Sequence, residues 1–383
     1  SSGYGYYFCR VNTDGSANTA TTNNIIVTLA ESGKTLTANK RYPLALTVVS
    51  SIKATISFTT PEGLDGWGAE SEETEIIDWS RHLQHVSVTG DGVHTYKVLS
   101  ALGLQRLNAW ITSATDSPEL IAGGTAVSKT NRLKTNIILA NDITMTGNWT
   151  PIGDGYNSYN GTLDGGGHTL TGLTIDVDYD YVGLIGYLGD GGTVKNLALN
   201  NANVNGKDYV GGIAGMNDGT ITACSSTGGK VTGNYAPGGI AGWNSFTGTI
   251  TACWSTAEVS GTSAGGIAGY NNFGTITACY TTKDIGSITG VTIVTNIAAL
   301  NGTAVLTAMN NALAALNSGT GIGYEWAASA NTDTDGPVLK KTLTYNSGTN
   351  TYTAYTATGL MAIDTWLTTS GAAPKDADGN QWT

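Results

Sequence analysis

The sequence is poor in charged side chains and in the residues that most often carry catalysis. Of its 383 residues, only 12% are Asp, Glu, Lys or Arg, and there are four His and four Cys. No Arg follows Arg132, so most of the chain lacks the guanidinium group with which a uronate lyase can neutralise its substrate's carboxylate. The net charge of −11 argues against nucleic acid as a partner.

Long apolar runs are also missing. No segment of 18 apolar residues occurs, so we expect no transmembrane segment. We find no signal peptide in the chain and expect any leader to have been cleaved or to lie outside this sequence. Glycine is abundant, at 53 residues, and the regular alternation of apolar and polar positions argues against disorder. This composition is typical of an extracellular β-protein.

The carboxylates and histidines form no recognisable catalytic set. Glycoside hydrolysis needs two carboxylates about 5 to 10 Å apart, and Asp164, which precedes three glycines, is the most site-like carboxylate. An Asp before glycines is, however, typical of a turn. None of the four histidines lies in a nucleophile motif. We therefore predict that the chain is not an enzyme and requires no cofactor.

One segment has features of a calcium loop. Asn331, Asp333 and Asp335 alternate as oxygen-bearing side chains, and Gly336 occupies the sixth place. The Glu expected at the twelfth place is absent, and Thr342 stands there. A surface turn is the simpler interpretation, so we predict no metal site.

The strongest pattern is a 27-residue repeat within residues 181–290. The phrase Gly-Gly-Ile-Ala-Gly recurs at 211–215, 238–242 and 265–269. A second phrase, Thr-Ile-Thr-Ala-Cys, ends at Cys224, Cys253 and Cys279. A fixed period of this length indicates a solenoid or a propeller, but a propeller blade needs four strands in about 40 to 50 residues. We predict a right-handed parallel β-helix with three short strands per coil.

In such a solenoid, equivalent residues of successive coils stack in columns about 4.8 Å apart. We predict two inward columns, formed by Leu197, Cys224, Cys253 and Cys279 and by Ile213, Ile240 and Ile267. The cysteines then act as small buried apolar residues, although a disulfide between neighbours stays open. Two further columns are predicted to contain outward aromatic residues, namely Tyr187, Trp243 and Tyr270 in one and Trp254 and Tyr280 in the other.

The two repeated phrases together resemble the GLUG repeat of bacterial surface proteins, and the resemblance covers residues 181–290. It implies a cell-adhesion protein at the outer-membrane surface of a bacterium of the Bacteroidetes. In the N-terminal part, Leu36–Val48 followed by Glu75–Trp79 resembles the end of a fimbrillin-type pilus domain. This second resemblance is shorter and looser, and it implies a β-sandwich whose visible length is short for that family.

These observations predict an all-β chain with three parts. Residues 1–90 are predicted to form a fimbrillin-like β-sandwich, with strands at 6–11, 24–29, 42–48 and 54–58. Residues 91–342 are predicted to form the β-helix, with a helix at about 100–112 covering its open end and a capping helix near 303–317 at its C-terminal end. Residues 343–383 are predicted to form a hairpin plus helix like the start of a second β-helix module, because 351–366 aligns without gaps to 95–110.

Two functional hypotheses follow from the sequence. The first is a non-catalytic adhesin or pilus-associated protein that binds cell-surface glycans or proteins, pilus subunits among them. The second is a carbohydrate-binding or polysaccharide-degrading β-helix protein. The candidate ligand-binding residues are Tyr187, Trp243, Trp254, Tyr270 and Tyr280, since exposed stacked aromatic rings suit sugar rings or protein partners. Aromatic stacking that only stabilises the coils is the simpler alternative.

Overall fold

A computed structural model gives the structure of the chain. It describes four short strands before residue 59, then residues 79–368 and 373–374 except 115–116, 119–125, 284, 287, 317–322, 347–348 and 350. The chain divides into two compact units, Ser1–Ile77 and Asp78–Thr383.

The first unit contains two antiparallel strand pairs. Tyr6–Phe8 pairs with Ile25–Val27, and Leu44–Val49 pairs with Lys53–Phe58. All four strands overlap the predicted ones. The predicted sandwich and most of the fimbrillin-like residues, at 36–43 and 75–78, lie outside the described residues.

The second unit is built on a right-handed parallel β-solenoid of about five turns. Its strands form four sheets, in which each strand pairs with its equivalents in adjacent coils. Sheet 1 contains Leu83–Val88, His94–Val98, Asn136–Leu139, Thr162–Asp164, Thr193–Lys195, Thr220–Thr222, Thr249–Thr251 and Thr275–Thr277. Sheet 2 contains Ile143–Thr144, Thr169–Thr171, Ala198–Asn200, Ser225–Thr227, Trp254–Ser255, Cys279–Thr281 and Val291–Ile293. Sheet 3 contains Thr174–Asp176, Asn203–Asn205, Lys230–Tyr235 and Glu258–Thr262. Sheet 4 contains Ile185–Leu188, Ala214–Asn217, Ala241–Asn244 and Ala268–Asn271.

The remaining elements lie before, between and after the coils. The helices are Trp79–Arg81 (a 3₁₀ turn), Ala101–Thr112, Lys129–Arg132, Ile297–Leu300, Thr303–Leu316 and Ala357–Thr368. Three antiparallel strand pairs are Ser117–Pro118 with Ala126–Val127, Tyr324–Ala327 with Val338–Lys341, and Leu343–Asn346 with Thr351–Ala354.

Each full coil has four strands, not the three that we predicted. The difference arises at the residue before each member of the cysteine column. The residues at these corners are Asn196, Ala223, Ala252 and Ala278, and their φ angles lie between 49° and 55°. A residue with a left-handed backbone conformation bends the chain sharply. The segment that we expected to be one strand is therefore divided between sheet 1 and sheet 2.

Both predicted inward columns are confirmed. Leu197 and the three cysteines at the same position in the following coils are at most 1% exposed, and so are Ile213, Ile240 and Ile267. Cys224, Cys253 and Cys279 are free thiols, and the backbone N–H of Cys224 donates to the Sγ of Cys253 over 3.4 Å. Burial raises the pKa of the Cys253 and Cys279 thiols, so the column is an apolar core element.

The glycines of the repeated phrase are required by close backbone contacts. A Cβ at Gly238 would lie 2.6 Å from the backbone nitrogen of Gly269 in the following coil, and one at Gly242 would lie 2.3 Å from the carbonyl carbon of Tyr209 in the preceding coil. Separations below 3 Å are sterically excluded for a real side chain. These glycines let adjacent coils approach each other.

A hairpin and a helix precede the first coil, and we call Leu83–Val88, His94–Val98 and Ala101–Thr112 the head unit. His94–Val98 pairs in parallel with Asn136–Leu139, and Leu104, Leu107 and Ile111 of the helix are at most 1% exposed within the solenoid's core. The predicted helix at about 100–112 is therefore confirmed. The predicted domain boundary at residue 90 falls inside the hairpin.

The predicted C-terminal helix is present at Thr303–Leu316, but its position differs from our expectation. Met309 and Leu313 belong to a second hydrophobic cluster with Trp254 and Trp326. This cluster also contains the corner residues Ala223 and Ala252 of two successive coils. The helix therefore packs along the side of the solenoid, whereas we expected it at the C-terminal end.

We predict that Gly242→Ala destabilises the solenoid by about 1 to 3 kcal/mol, because the added methyl overlaps the Tyr209 backbone. Chemical denaturation followed by circular dichroism measures the change. Gly90→Ala is the matched control, because a Cβ there meets nothing within 4 Å. Equal stabilities for the two variants would contradict the close packing of adjacent coils.

We also predict that Cys224, Cys253 and Cys279 resist aqueous thiol reagents in the folded protein and react fully after unfolding. Burial denies the reagent access to all three side chains, and it also raises the pKa of Cys253 and Cys279. Peptide-resolved mass spectrometry after iodoacetamide treatment measures each cysteine separately. Rapid labelling of any of the three under native conditions would show that the column is open.

Candidate functional site

The face of sheet 4 presents a row of large side chains across four coils. The pairing places Tyr187 beside Met216, Met216 beside Trp243, and Trp243 beside Tyr270. The predicted column of Tyr187, Trp243 and Tyr270 is therefore confirmed, and Met216 occupies its remaining place. Tyr270 is 40% exposed, and the other three side chains are half-buried.

Three further tyrosines extend this row, and sequence reasoning did not assign them to the site. Tyr181 and Tyr209 occupy left-handed corners with φ of 63° and 56°, and their rings stack with centroids 5.4 Å apart and planes 9° apart. Tyr235 is 36% exposed and meets Tyr209 edge-on. The repetition of Tyr before Val-Gly at 181 and 209 could have revealed two of them.

The combined surface is continuous, and we call it the aromatic band. It comprises Tyr181, Tyr187, Tyr209, Tyr235, Trp243 and Tyr270. The Tyr209 and Trp243 centroids are 4.9 Å apart, and the Trp243 and Tyr270 centroids are 5.9 Å apart. The ring centroids of Tyr187 and Tyr181 are 6.3 Å apart. These spacings are those of favourable aromatic pairs.

Acidic side chains border the band. The Tyr187 hydroxyl donates to Asp218, which also accepts from Ser245. Desolvation, followed by the bond to and charge of Asp218, raises the pKa of Tyr187 well above its usual range. Desolvation and then the charge of Asp180 raise the pKa of Tyr181. The hydroxyl groups of Tyr181 and Tyr187 are therefore neutral at physiological pH and can both donate and accept hydrogen bonds.

A hollow of about 280 Å³ adjoins the first end of the band. Asp154, Asn157, Asp180 and Tyr181 are among its lining residues. Asp180 also lies 3.6 Å from the Nζ of Lys207. The hollow thus combines an aromatic ring with several carboxylate and amide oxygens.

Trp254 and Tyr280 have a different environment from the one we predicted. They do stack in register on sheet 2, but they are only 2% and 8% exposed. Trp326 packs edge-on against Trp254 at 6.2 Å and donates its indole N–H to the Ala252 carbonyl. The interpretation of these two residues as an exposed platform is corrected, because C-terminal segments cover them.

The covering segments leave a cleft of about 750 Å³ over sheet 2. Asn200, Thr227, Trp254, Lys283 and Asp335 are among the residues that line it. Any ligand that contacts Trp254 would therefore do so inside this cleft.

The other candidate residues have structural roles in this fold. Asp164 accepts from the Gly166 backbone and the Asn196 side chain and lies 3.3 Å from the Nζ of Lys195, so it stabilises a turn. Residues 331–335 form an exposed turn, in which the Asp335 N–H donates to the Asn331 carbonyl.

Two absences concern only the described part of the chain. It contains no cluster of three or more His, Cys, Asp or Glu residues arranged to hold a metal ion. None of its helices has both the length and the apolar character needed to cross a membrane.

Comparisons with known proteins give partial matches. No protein-family profile matches the chain. It is 46% identical over 72 residues to halomucin of Haloquadratum walsbyi, covering 18% of this chain and 1% of that protein. It is 40% identical over 77 residues to a "Putative Gly-rich membrane protein" of Evansella cellulosilytica, covering 19% of this chain and 9% of that protein. The chain therefore spans only a small part of the length of these relatives.

One solved structure matches the chain weakly. It is described as that of a "putative immunoglobulin A1 protease" from Bacteroides ovatus, with a TM-score of 0.37 and 16% identity, covering 66% of this chain and 94% of that chain. We predicted that this chain is not an enzyme, and the enzyme description of this neighbour contradicts that prediction, which we withdraw. A TM-score of 0.37 transfers no activity to this chain.

We predict that the folded protein loses stability as pH rises above about 10, the ordinary pKa of a tyrosine. Because the folded-state pKa values of Tyr181, Tyr187 and Tyr209 are raised, their contribution is complete below the unfolded value and is lost as pH rises through the folded values. Tyr187→Phe should reduce this alkaline loss, as measured by urea unfolding at several pH values. An unchanged pH dependence in the variant would contradict the assignment.

Proposed function

We propose that this protein is a cell-surface adhesin or pilus-associated protein whose solenoid binds surface glycans through the aromatic band. The observation that carries the proposal is the continuity of six aromatic side chains across four coils, with several of them partly exposed. Aromatic rings offer flat apolar faces with polar edges, which suit the faces and hydroxyl groups of sugar rings.

The charge around the band favours neutral sugars over acidic ones. Three carboxylates, those of Asp154, Asp180 and Asp218, lie along it, against two lysines: Lys207 is paired with Asp180, and Lys129 lines the hollow. Carboxylates accept hydrogen bonds from sugar hydroxyls, whereas they repel uronate or sialic acid groups. We therefore expect neutral hexoses or N-acetylhexosamines as ligands.

The length of the band supports recognition of an extended chain. Adjacent coils are about 4.8 Å apart, and the band crosses four of them, so several consecutive sugar units could lie against it. The resemblances to GLUG repeats and to a fimbrillin-type domain support placing the protein at a cell surface, in contact with pilus subunits. On this proposal it is extracellular and anchored at the outer membrane.

We predict that Trp243→Ala lowers affinity for a bound neutral oligosaccharide about five- to tenfold, since a lost aromatic contact is worth about 1 kcal/mol. A glycan array identifies the ligand, and calorimetry measures the affinity. Tyr355→Ala is the matched control, because Tyr355 is a 57% exposed aromatic residue in the C-terminal hairpin–helix, outside the band.

The same affinity measurement distinguishes the role of Trp243 from that of Trp254. Trp254→Ala should lower the melting temperature, because Trp254 is buried, while leaving the affinity of the folded fraction unchanged. Absence of binding by the parent protein to any neutral glycan would contradict the proposal, as would equal affinities for Trp243→Ala and the parent.

A further inference from the structure

The C-terminal hairpin and helix repeat the head unit's structure in detail. We call Leu343–Asn346, Thr351–Ala354 and Ala357–Thr368 the tail unit. Its helix begins and ends 256 residues after the head helix Ala101–Thr112. The N-cap interaction is also repeated, because the Gly103 N–H donates to the Ser100 hydroxyl over 3.3 Å and the Gly359 N–H to the Thr356 hydroxyl over 3.2 Å.

The packing of hairpin against helix is the same in both units. A Cβ at Gly103 would lie 1.9 Å from the His82 carbonyl oxygen, and one at Gly359 would lie 2.0 Å from the Thr342 carbonyl oxygen. Those two carbonyls each accept a 2.9 Å hydrogen bond from the residue before the N-cap.

The aromatic packing within each unit agrees as well. Tyr96 and Trp110 in the head unit, and Tyr352 and Trp366 in the tail unit, meet edge-on with centroids 5.8 Å apart in both cases. The tail unit is thus a second copy of the same tertiary structure.

The two copies differ in what covers them. Leu104 and Ile111 of the head helix are at most 1% exposed, whereas their equivalents Leu360 and Leu367 are 62% and 70% exposed. The head hairpin continues into sheet 1 through Asn136–Leu139. In the described residues, the tail hairpin forms a two-stranded sheet to which no third strand is added.

We propose that the tail unit caps the first coil of a further β-solenoid that lies C-terminal to it in the same polypeptide. In the head unit, a parallel solenoid coil covers the equivalent apolar face and strand edge. Apolar helix faces and sheet edges of this kind are normally covered in native proteins. The tail unit therefore has the correct chemistry and geometry for such a coil.

A second copy of this chain offers a different surface, because the terminal coil strand of its sheet 1 among the described residues is Thr275–Thr277, at the opposite end of the sheet from the head unit. The matching coil edge in this chain is Asn136–Leu139, and His94–Val98 of the head unit already pairs with it. The occupant is therefore another solenoid coil.

The contact residues also indicate that this coil is not identical to the first one. The Asn108 side chain donates to the Thr150 carbonyl over 2.8 Å, but Asp364 stands at the equivalent tail position and a carboxylate only accepts. Gln105, which donates to the Thr146 carbonyl, is replaced by Met361. We expect the coil capped by the tail unit to differ from the first coil at these two contacts and to offer an apolar side chain near Met361.

The test uses the full chain extended by a second solenoid. Residues 113–342 are appended after residue 368, which reproduces the helix-to-coil connection of the head unit, and Asp364→Asn with Met361→Gln adapts the contacts. Amide hydrogen exchange at Thr351–Ala354 should slow by about tenfold or more relative to the 383-residue chain. Leu360→Asp should abolish this protection in the extended protein.

Matched variants of the 383-residue chain complete the test. Leu360→Asp should leave its melting temperature unchanged, whereas Leu104→Asp should lower it, because only the head helix is covered there. Exchange at Thr220–Thr222 shows that the solenoid itself is folded in every variant. Unprotected Thr351–Ala354 in the folded extended protein would overturn the proposal, and so would dimerisation of the 383-residue chain that Leu360→Asp abolishes, since that would make a second copy the occupant.

Discussion

The structure depends on the close approach of backbone to backbone in successive coils. Parallel in-register pairing sets the spacing between coils, and at the repeated glycines the chain comes so near to its neighbour that no Cβ can be accommodated. Every other feature of the coil follows from this contact. The side chain at a given position of one coil lies against the side chain at the same position of the next coil. Inside the solenoid this favours apolar residues, and at the turns it favours residues that can hydrogen-bond to an identical side chain.

The asparagines at the end of sheet 4 illustrate this second requirement. Asn217 donates its side-chain amide to Asn244 over 2.7 Å, and Asn244 donates to Asn271 over 2.8 Å. An amide carries both a donor and an acceptor, so a column of identical amides satisfies itself along the axis. The ladder replaces the apolar Leu188 of the first coil. It pairs the amides along the column, and only at its first member does a side-chain oxygen, that of Asn217, lack a partner among the described residues.

The aromatic band is the outward counterpart of these columns. Stacking brings together rings that are 27 residues apart in sequence, and the left-handed corners add Tyr181 and Tyr209 from the adjoining edge. A stack of this kind stabilises the coils and presents a surface at the same time, so stability alone does not distinguish the two roles. The bordering carboxylates also join neighbouring coils, because Asp218 accepts hydrogen bonds from Tyr187 and Ser245 and Asp180 lies 3.6 Å from the Nζ of Lys207.

The sequence by itself determined the parts of the structure that are periodic. The 27-residue spacing established the solenoid, its inward cysteine and isoleucine columns, and the row from Tyr187 to Tyr270, because each residue in a stack meets its own equivalents. Apolar spacing also located the helices at 101–112 and 303–316, and the aligned phrases located the tail unit.

Only the tertiary structure decided what covers each outward face. Trp254 and Tyr280 match the exposed column in local pattern, yet they are buried by Trp326 and by a helix distant in sequence. The fourth strand of each coil arises from left-handed backbone at residues such as Ala223 and Ala252. Nothing in the sequence marks this bend, because alanine is not a residue that usually adopts a left-handed conformation. Local sequence encodes which side of a strand is apolar, but the segment that packs there is selected by long-range contacts that no short pattern contains.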